Sequence, residues 1–462
     1  MTRTRYNIVI IGAGPAGIFA AIELIRARPE LSILIAERGE PIARRRCPAR
    51  QTHCVSCKTC SIMTGWGGAG AFSDGKLTLT TEVGGWLSEY VGDAEMESLV
   101  EDSDRIWLDF GATSVVHTPD PTVMESISRA ATLAEMRLIP MRIRHIGTDH
   151  SPQVLQSMYD YLVERGVEVR TGTRAVRVLS ENGHVTGVEL SDGETVDADV
   201  VIAAPGRDGA DWLAEQAAAL GIGLVNNAVD IGVRVEVPAA VMEPLTDELY
   251  EAKLLYYSKQ FGDQVRTFCM NPYGEVTTES YGDIVTVNGH SFADQRTANT
   301  NFAVLVSQSF TEPFHEPLTY GSSIARLANL LGEGIIVQSL GDLRAGRRST
   351  AARIARSVVS PTMPQATPGD LSFVLPYRHL ADILEFLDAM DKLVPGVAGD
   401  GTLLYGIEVK FYSSRLQLDT SLQTQVAGLY AVGDGAGVTR GLIQSSASGL
   451  VAARAVLRAM VE

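Results

Sequence analysis

The sequence is short of cysteine, of positive charge and of long apolar segments. Its 462 residues include five cysteines, and 55 acidic against 39 basic side chains give a formal charge of −16. So few cysteines cannot form a disulfide framework for a chain of this size, and we therefore expect a reducing, cytoplasmic compartment. The acidic balance excludes nucleic acids and anionic membranes as expected partners, because both require a basic surface.

No segment has the pattern of a signal peptide or a membrane span. The first apolar run, residues 8–21, contains glycines and is followed at once by Glu23, Arg26 and Arg28, which fits neither. A hydrophobic content of 45% and a charged content of 20% are typical of a globular protein, and 44 glycines favour an α/β chain with many tight turns. The length predicts two or three domains.

The N-terminus has the pattern of a strand, a tight turn and a helix. An apolar run precedes Gly12, Gly14 and Gly17, a helical pattern follows, and the next strand ends at Glu37, which is 20 residues beyond the last glycine. Glycines let backbone amides approach a pyrophosphate at a helix N-terminus, and a carboxylate at that distance accepts hydrogen bonds from ribose hydroxyls. The motif therefore predicts a dinucleotide-binding site.

The rest of the chain alternates between two patterns. An amphipathic helix over residues 150–166 leads into a strand and then a meander over residues 174–206, with turns at Asn182-Gly183 and Asp192-Gly193. Residues 230–403 have alternating strands and few helices, which is typical of a mostly antiparallel domain. The C-terminal stretch "GLYAVGDGAGVTRGLIQ" then returns to a strand, a Gly-Asp turn and a helix.

A glycine motif combined with a distant Gly-Asp turn favours FAD over NAD, since FAD has a ribityl chain and a second ring system that need a second contact region. Asp434 is the candidate for that contact, and Arg440 lies at the start of the following helix. The predicted fold class is α/β. It comprises a discontinuous Rossmann-like FAD-binding domain over residues 1–229 and 404–462 and a mostly antiparallel α+β substrate (cap) domain over residues 230–403.

Several longer stretches resemble a known family. They include "GWGGAGAFSDGKLTL", "VRTFCMNPYGEV", "GDLRAGRRST", "LLYGIEVKFYSSR" and "GDGAGVTRGLIQSSASG". The chain resembles the FAD-dependent oxidoreductases of the glutathione-reductase-like superfamily and, more closely, a bacterial family of uncharacterised FAD-dependent dehydrogenases. Motif and resemblance together imply these cofactor-binding residues: Gly12, Gly14, Pro15, Ala16, Gly17, Glu37, Arg38, Gly67, Gly68, Gly70, Ser73, Asp74, Lys76, Gly206, Gly433, Asp434, Arg440, Gly441 and Leu442.

The expected function is an FAD-dependent dehydrogenase or reductase that transfers a hydride between a small organic substrate and flavin N5. We expect the substrate between the flavin and the middle domain, with His290 and Tyr412 handling a proton and Arg296 and Lys410 holding an acidic group. No second glycine motif is present, so electrons would come or go through transient NAD(P)H, a redox partner protein, oxygen or a quinone. A flavin-linked thiol-disulfide or iron-sulfur electron-transfer protein is the alternative.

Four cysteines lie within the segment of residues 44–77. Cys54, Cys57 and Cys60 have the spacing C-x2-C-x2-C, and Cys47 lies seven residues earlier. This spacing matches the ligand pattern of an iron–sulfur cluster better than that of structural zinc. A redox-active dithiol, a zinc site and unligated thiols stay open, and the arginines at 44–46 would stabilise thiolates. In disulfide-reducing relatives of the superfamily the redox cysteines follow the ribose-binding acid, which would place this segment beside the flavin.

Overall fold

A computed structural model describes most of the chain. The described residues are 4–47, 57–72, 75–147, 150–225, 228–249, 251–281, 284–290, 296–308, 310, 317–410 and 415–461. The chain forms two compact units, the first made of Met1–Val116, Arg142–Asn227 and Ser413–Glu462, and the second of His117–Met141 and Ala228–Tyr412. The predicted boundaries differ from this division, since residues 117–141 and 404–412 lie in the second unit. None of the described helices is long and apolar enough to cross a bilayer.

The elements are numbered in chain order. The strands are β1 (Thr4–Ile11), β2 (Ile33–Ala36), β3 (Lys76–Thr78), β4 (Arg137–Ile139), β5 (Ile143–His145), β6 (Glu168–Arg170), β7 (Ala175–Glu181), β8 (His184–Leu190), β9 (Thr195–Ala203), β10 (Leu224–Val225), β11 (Val229–Pro238), β12 (Lys253–Tyr257), β13 (Gln264–Asn271), β14 (Glu275–Tyr281), β15 (Ile284–His290), β16 (Asn299–Gln308), β17 (Ile336–Ser339), β18 (Thr367–Pro368), β19 (Leu403–Lys410), β20 (Arg415–Leu416) and β21 (Leu429–Ala431). The helices are α1 (Pro15–Ala27), α2 (Ser88–Val91), α3 (Asp93–Asp109), α4 (Pro121–Leu133), α5 (Ser151–Glu164), α6 (Ala210–Leu220), α7 (Ala239–Leu249), α8 (Pro317–Gly332), α9 (Leu340–Arg344), α10 (Ala351–Ile354), α11 (Tyr377–Leu393) and α12 (Leu442–Ala459).

The first unit is built on a sheet with the order β6-β2-β1-β9-β8-β7, in which β21 also pairs with β9. The strands β6, β2, β1, β9 and β21 are parallel, and β7, β8 and β9 form an antiparallel meander. The strand β1 is buried from Ile8 to Ile11, as expected of a central parallel strand covered on both faces. This confirms the Rossmann-like fold and the meander, including the turn at Asn182-Gly183, where both residues have positive φ.

The second unit has an eight-stranded sheet with the order β18-β17-β19-β11-β16-β13-β12-β4 and a separate β14–β15 hairpin. All its strand pairs are antiparallel except β17–β18, which confirms the mostly antiparallel prediction. Along β11, Ile231, Val233 and Val235 belong to the hydrophobic core, while Asp230 and Arg234 alternate with them on the opposite face. We call that opposite face, which the strands β11, β12, β13, β16 and β19 share, the polar face.

A second buried polar group lies on α11, whose apolar residues pack in the core of this unit. His379 is 2% exposed and Asp382 is fully buried, yet neither ring nitrogen of His379 and neither oxygen of Asp382 has a hydrogen-bond partner. Ser258 and Asp263 are the polar neighbours of Asp382. Burial lowers the pKa of His379 to about 4. Burial, together with the nearby Asp263, raises the pKa of Asp382 to about 6.

These two shifts have opposite effects on stability. Unfolded histidine and aspartate have pKa values of about 6.5 and 3.9. The contribution of neutral, buried His379 to the free energy of unfolding is therefore lost as pH falls from about 6.5 through the folded pKa near 4. The contribution of Asp382 is present in acid and is lost as pH rises through its folded pKa near 6, because the buried carboxyl must then ionise.

We predict that Asp382→Asn gains stability relative to the native protein as pH rises from 5 to 8, because asparagine cannot ionise. The expected change in the difference of unfolding free energy is about 1 kcal/mol. Denaturant unfolding at the two pH values measures it, with Asp388→Asn, an exposed aspartate of the same helix, as the matched control. A difference that stays constant or shrinks with rising pH would contradict the assignment.

Candidate functional site

The glycine turn between β1 and α1 is the starting point of the site. Gly12 has a φ of +100°, and a Cβ atom there would lie 2.2 Å from the carbonyl oxygen of Ala204, just after β9. Gly14 differs, because its φ is −79° and a Cβ atom would meet nothing within 4 Å. The fold therefore requires glycine at position 12, whereas Gly14 borders open space at the N-terminus of α1.

Glu37 joins three stretches of backbone next to this turn. Its carboxylate is buried, accepting the N–H of Ala13 at 2.8 Å through Oε2 and those of Gly39 and Gly65 at 2.8 and 2.9 Å through Oε1. A carboxylate offers about four acceptor positions. Three are therefore occupied by the protein itself, and about one is left for a ribose hydroxyl. Glu37 as a ribose ligand stays a prediction, while its role in fixing the backbone is observed.

The loop that follows Cys60 within the cysteine segment packs against the same turn. The N–H of Gly67 donates to the carbonyl oxygen of Ala13 at 2.7 Å. A Cβ atom on Gly68 would lie 3.1 Å from the Cα atom of Gly14. These two stretches, whose contacting residues are 54 positions apart in sequence, were indicated separately by the motif and by the resemblance, and they meet at one place.

The C-terminal Gly-Asp turn closes the same region. A Cβ atom on Gly433 would lie 3.1 Å from the Cβ atom of Ala16 in α1. On Gly435 it would lie 2.4 Å from the carbonyl oxygen of Gly206, at the end of the meander. The predicted cofactor residues of the N-terminal motif, the meander and the C-terminus therefore lie together.

The helix α12 begins beside this cluster. A Cβ atom on Gly70 would lie 2.6 Å from Cδ2 of Leu442, and the preceding residue, Gly441, provides no side-chain cap. Gln444 is 3% exposed and donates to the carbonyl oxygen of Val83 at 2.6 Å, while its Oε1 is buried without a partner. The N-terminus of α1 also lacks a side-chain cap. Sequence reasoning missed Gln444.

These features fit FAD. Uncapped helix N-termini attract anionic groups such as a pyrophosphate, and the space at Gly14 admits one. The flavin ring system carries an N–H donor, which suits a buried acceptor such as Oε1 of Gln444. The residues present can therefore hold the pyrophosphate and the polar edge of the ring.

Asp434 lies on the turn that leads into α12. Its Oδ1 accepts the Thr439 hydroxyl at 2.9 Å, and its Oδ2 lies 3.9 Å from Nε of Arg207, which the sequence did not single out. Burial raises the pKa of Asp434, against the opposite effect of Arg207 and Arg440. The Arg440 guanidinium stacks on Trp86 at 4.9 Å. Asp434 and Arg440 thus lie in a charged turn whose geometry is set by these contacts within the protein.

The remaining predicted cofactor residues are less closely tied to this cluster. Pro15 is the first residue of α1. Arg38 forms an ion pair with Asp208. Lys76 lies on β3 opposite His145 and is half-buried. Two further predicted residues, Ser73 and Asp74, lie outside the described residues.

The structure describes the cysteine segment only in part, and Cys54 lies outside the described residues. Cys47, Cys57 and Cys60 form no disulfide. Within the described ranges, no group of three His, Cys, Asp or Glu side chains is arranged to hold a metal ion. The iron–sulfur cluster therefore stays a prediction without support from the structure.

Arg45 organises this segment, a role that the sequence did not indicate. It is 4% exposed, and its guanidinium donates to the carbonyl oxygens of Ser61, Ile62 and Trp66 at 2.9, 2.9 and 2.6 Å. Burial lowers its pKa to about 10, against the effect of Glu37 and Cys60. Arg45 thus caps a turn of backbone while lying within electrostatic range of the Cys60 thiol.

Of the predicted catalytic residues, Tyr412 lies outside the described part of the chain. His290 is exposed at the end of β15, opposite Glu275 on β14. Arg296 is exposed, and its guanidinium stacks on the Tyr273 ring at 4.7 Å. These two residues therefore lie near the Glu275 end of the hairpin.

Lys410 lies in a buried charge network of the second unit. Its Nζ is 3.3 Å from Oε2 of Glu279 and 3.2 Å from Oε1 of Glu408. The two carboxylate oxygens of Glu408 also accept hydrogen bonds from the guanidinium of Arg234 at 2.7 and 2.8 Å. Burial alone would lower the pKa of Lys410, but the two carboxylates raise it above the ordinary value. The ammonium therefore keeps its charge.

Lys410 and His290 are separated along the hairpin. Glu279 and Glu275, their respective partners, are four residues apart on β14, which is roughly 13 Å at the rise of a strand. The hairpin therefore does not bring these two predicted catalytic residues to one point.

Comparison with known proteins agrees with the site. Residues 7–213 match the family model described as FAD dependent oxidoreductase, and residues 228–411 match the model described as FAD-dependent protein, C-terminal domain-like. The protein is an FAD-dependent oxidoreductase. The comparisons do not favour the alternative of a thiol-disulfide or iron–sulfur protein.

This FAD-dependent oxidoreductase is similar to several proteins along its length. An uncharacterised protein of Clostridium beijerinckii is 27% identical, over 97% of this chain and 80% of that one. A 3-ketosteroid-Δ4-(5α)-dehydrogenase from Rhodococcus jostii has a TM-score of 0.47 at 13% identity, over 97% of this chain and 96% of that one. An L-proline dehydrogenase from P. horikoshii has a TM-score of 0.40 at 10% identity, over 99% and 95% of the two chains.

We predict that two glycine substitutions separate cofactor binding from folding in this oxidoreductase. Gly14→Val should leave a folded protein without FAD, because its side chain would occupy the open space at the helix N-terminus. Gly12→Ala should lose the fold itself, since its Cβ atom would collide with the Ala204 carbonyl. Visible absorbance reports the flavin and circular dichroism reports the fold. Full flavin content in folded Gly14→Val would contradict the placement of the pyrophosphate.

Proposed function

We propose that this FAD-dependent oxidoreductase transfers a hydride between flavin N5 and a small acidic organic molecule, and that Lys410 binds the acidic group. The observation that carries the proposal is that Lys410 is 8% exposed while its ammonium stays charged. A buried cation is costly unless it is paired. Glu408 and Glu279 pair with the Lys410 ammonium, and a substrate anion would bind the same ammonium beside them.

Besides Lys410, the proposed reaction involves FAD and other residues of this chain. FAD, when bound, supplies the two-electron acceptor or donor. The predicted roles of His290 and Arg296 stay outside this proposal, because both lie near the Glu275 end of the hairpin, roughly 13 Å along β14 from the Glu279 that pairs with Lys410. Arg234, fully buried against Glu408, keeps the charge network around Lys410 rigid.

The network also limits what Lys410 can do. With two carboxylates within 3.3 Å, its amine stays protonated and cannot serve as a base. Its role is therefore electrostatic: it positions an anion and offsets negative charge during the reaction.

We predict that Lys410→Met lowers the rate of flavin reduction by substrate at least about tenfold while the flavin content stays unchanged. The rate is followed by flavin bleaching under anaerobic conditions, with a panel of hydroxy acids and amino acids and with NADH and NADPH. Lys392→Met, which removes an exposed lysine of α11 in the same unit, is the matched control. Equal loss of flavin and of activity in Lys410→Met would mark Lys410 as structural and overturn its proposed role.

A further inference from the structure

The segment of residues 340–360 in the second unit is strongly basic within an acidic protein. It contains five arginines and one acidic residue, Asp342, whereas the whole chain has a formal charge of −16. Four of the arginines are exposed and one is half-buried, and their positions are 344, 347, 348, 353 and 356. A local excess of positive charge on an acidic protein attracts anions to that place.

Buried hydrogen bonds fix the backbone of this segment between α9 and α10. Ser349 is fully buried, and its hydroxyl donates to Oδ2 of Asp342 at 2.8 Å and accepts the N–H of Ser339 at 2.9 Å. Gln338, which is also fully buried, donates through Nε2 to the carbonyl oxygen of Arg347 at 2.9 Å. The arginines are therefore carried by a backbone that is anchored to the interior of the unit.

Asp342 holds two of the arginines together. It is 3% exposed, and its Oδ1 accepts the Nε–H of Arg347 at 2.7 Å and lies 3.8 Å from Nε of Arg353. Burial would raise the pKa of Asp342, but Ser349 and the two arginines hold it below its ordinary value, so the carboxylate stays charged. Because one oxygen pairs with both guanidinium groups, they lie close to each other, and one positive charge is left uncompensated.

The outer nitrogens of these two guanidinium groups are accessible to a ligand. Among the described residues, none accepts a hydrogen bond from Nη1 or Nη2 of Arg347 or from Nη2 of Arg353. The two side chains are 56% and 38% exposed. A guanidinium that is held through Nε presents its other N–H groups as a planar fork, which fits the oxygens of a carboxylate or a phosphate.

The charge of the cluster favours a phosphate over a carboxylate. Neither Arg348 nor Arg356 forms an ion pair with a described carboxylate, so both add to the charge that Asp342 leaves uncompensated. A carboxylate would offset one of these charges. A phosphate group carries a charge of about −1.5 to −2 at pH 7 and has three strong acceptor oxygens, so it matches the excess of positive charge better.

We propose that Arg347, Arg348 and Arg353 form a binding site for the phosphate group of a small soluble molecule. Arg347 and Arg353 donate to the phosphate oxygens through their outer N–H groups, and Arg348 contributes positive charge. The site goes beyond the proposed function and does not depend on it, because it uses no residue assigned to FAD binding and does not involve Lys410.

The test is isothermal titration of the FAD-saturated protein with inorganic pyrophosphate at about 50 mM salt, where screening is limited. Saturation with FAD keeps the probe away from the pyrophosphate position of the cofactor at α1. We expect a dissociation constant of about 1 mM or lower. Arg347→Gln and Arg353→Gln should each weaken binding about tenfold, since each removes a charge-assisted hydrogen bond. Arg129→Gln, which changes an exposed arginine of α4 in the same unit, is the matched control and should have no effect.

Further measurements separate binding from folding. Flavin content and the denaturant midpoint should stay unchanged in Arg347→Gln, because the side chain is mostly exposed. Arg347→Lys keeps the charge but lacks the planar fork, so it should bind pyrophosphate more weakly than the native protein does. If Arg353→Gln fails to fold, the two variants of Arg347 decide.

Three results would overturn the proposal. The first is no binding of pyrophosphate by the native protein up to about 10 mM. The second is equal weakening in Arg347→Gln and Arg129→Gln, which would mean general attraction of anions to the surface. The third is Arg347-dependent binding of poly-L-glutamate without binding of pyrophosphate, which would identify the segment as a surface for an acidic protein.

Discussion

The carboxylate of Glu37 accepts three backbone N–H groups, and the geometry of the flavin site depends on it. Its donors, Ala13, Gly39 and Gly65, lie in the glycine turn, after β2 and in the loop that follows Cys60. A buried carboxylate is stable only where such donors compensate for lost hydration. In return it joins three irregular stretches of backbone, which are also linked by backbone hydrogen bonds such as that from Gly67 to Ala13. The glycines around them then leave the space in which FAD fits.

The second unit depends on a different constraint, which is the pairing of buried charge on one face of a sheet. Arg234 and Glu408 are both fully buried and paired, and Lys410 joins them through Glu408. Removing one member of such a set leaves an uncompensated charge in the interior. The same face holds Lys253 of β12, where burial and Arg266 lower the pKa to about 7 against the opposite effect of Glu251 and Asp230. One lysine is therefore held charged and the other is driven towards neutrality, although both lie on strands of the same sheet.

Features that depend on neighbouring residues could be predicted from the sequence, whereas features that depend on residues far apart in the chain could not. The glycine turn, Glu37 and the meander turn at Asn182-Gly183 are local patterns, and their elements could be predicted from the chain alone. The pairing of β4 with β12 joins residues more than 100 positions apart, so the membership of residues 117–141 in the second unit had no local signal. The charge states of Lys410 and Lys253 likewise depend on partners from distant strands.

The roles of single residues were harder to predict than their location. Glu37 was expected to bind ribose, but most of its acceptor capacity is used by the backbone, which no sequence motif reveals. Arg45 was expected to stabilise thiolates, whereas its guanidinium caps three carbonyl groups. Gln444 could have been noticed as a polar residue in the first turn of an apolar helix, yet its buried Oε1 depends on the contact with Val83.

The most direct test of this account is the unfolding of cofactor-free Glu37→Gln, measured beside its affinity for FAD. Glutamine keeps one acceptor oxygen and turns an N–H₂ group towards backbone donors, and each buried donor left unpaired costs about 1 to 3 kcal/mol. The account predicts that the cofactor-free variant loses about 2 kcal/mol or more of stability and that FAD binding weakens with it. A variant that binds FAD poorly but unfolds at the same denaturant concentration as the native protein would contradict it, because Glu37 would then act on the cofactor alone.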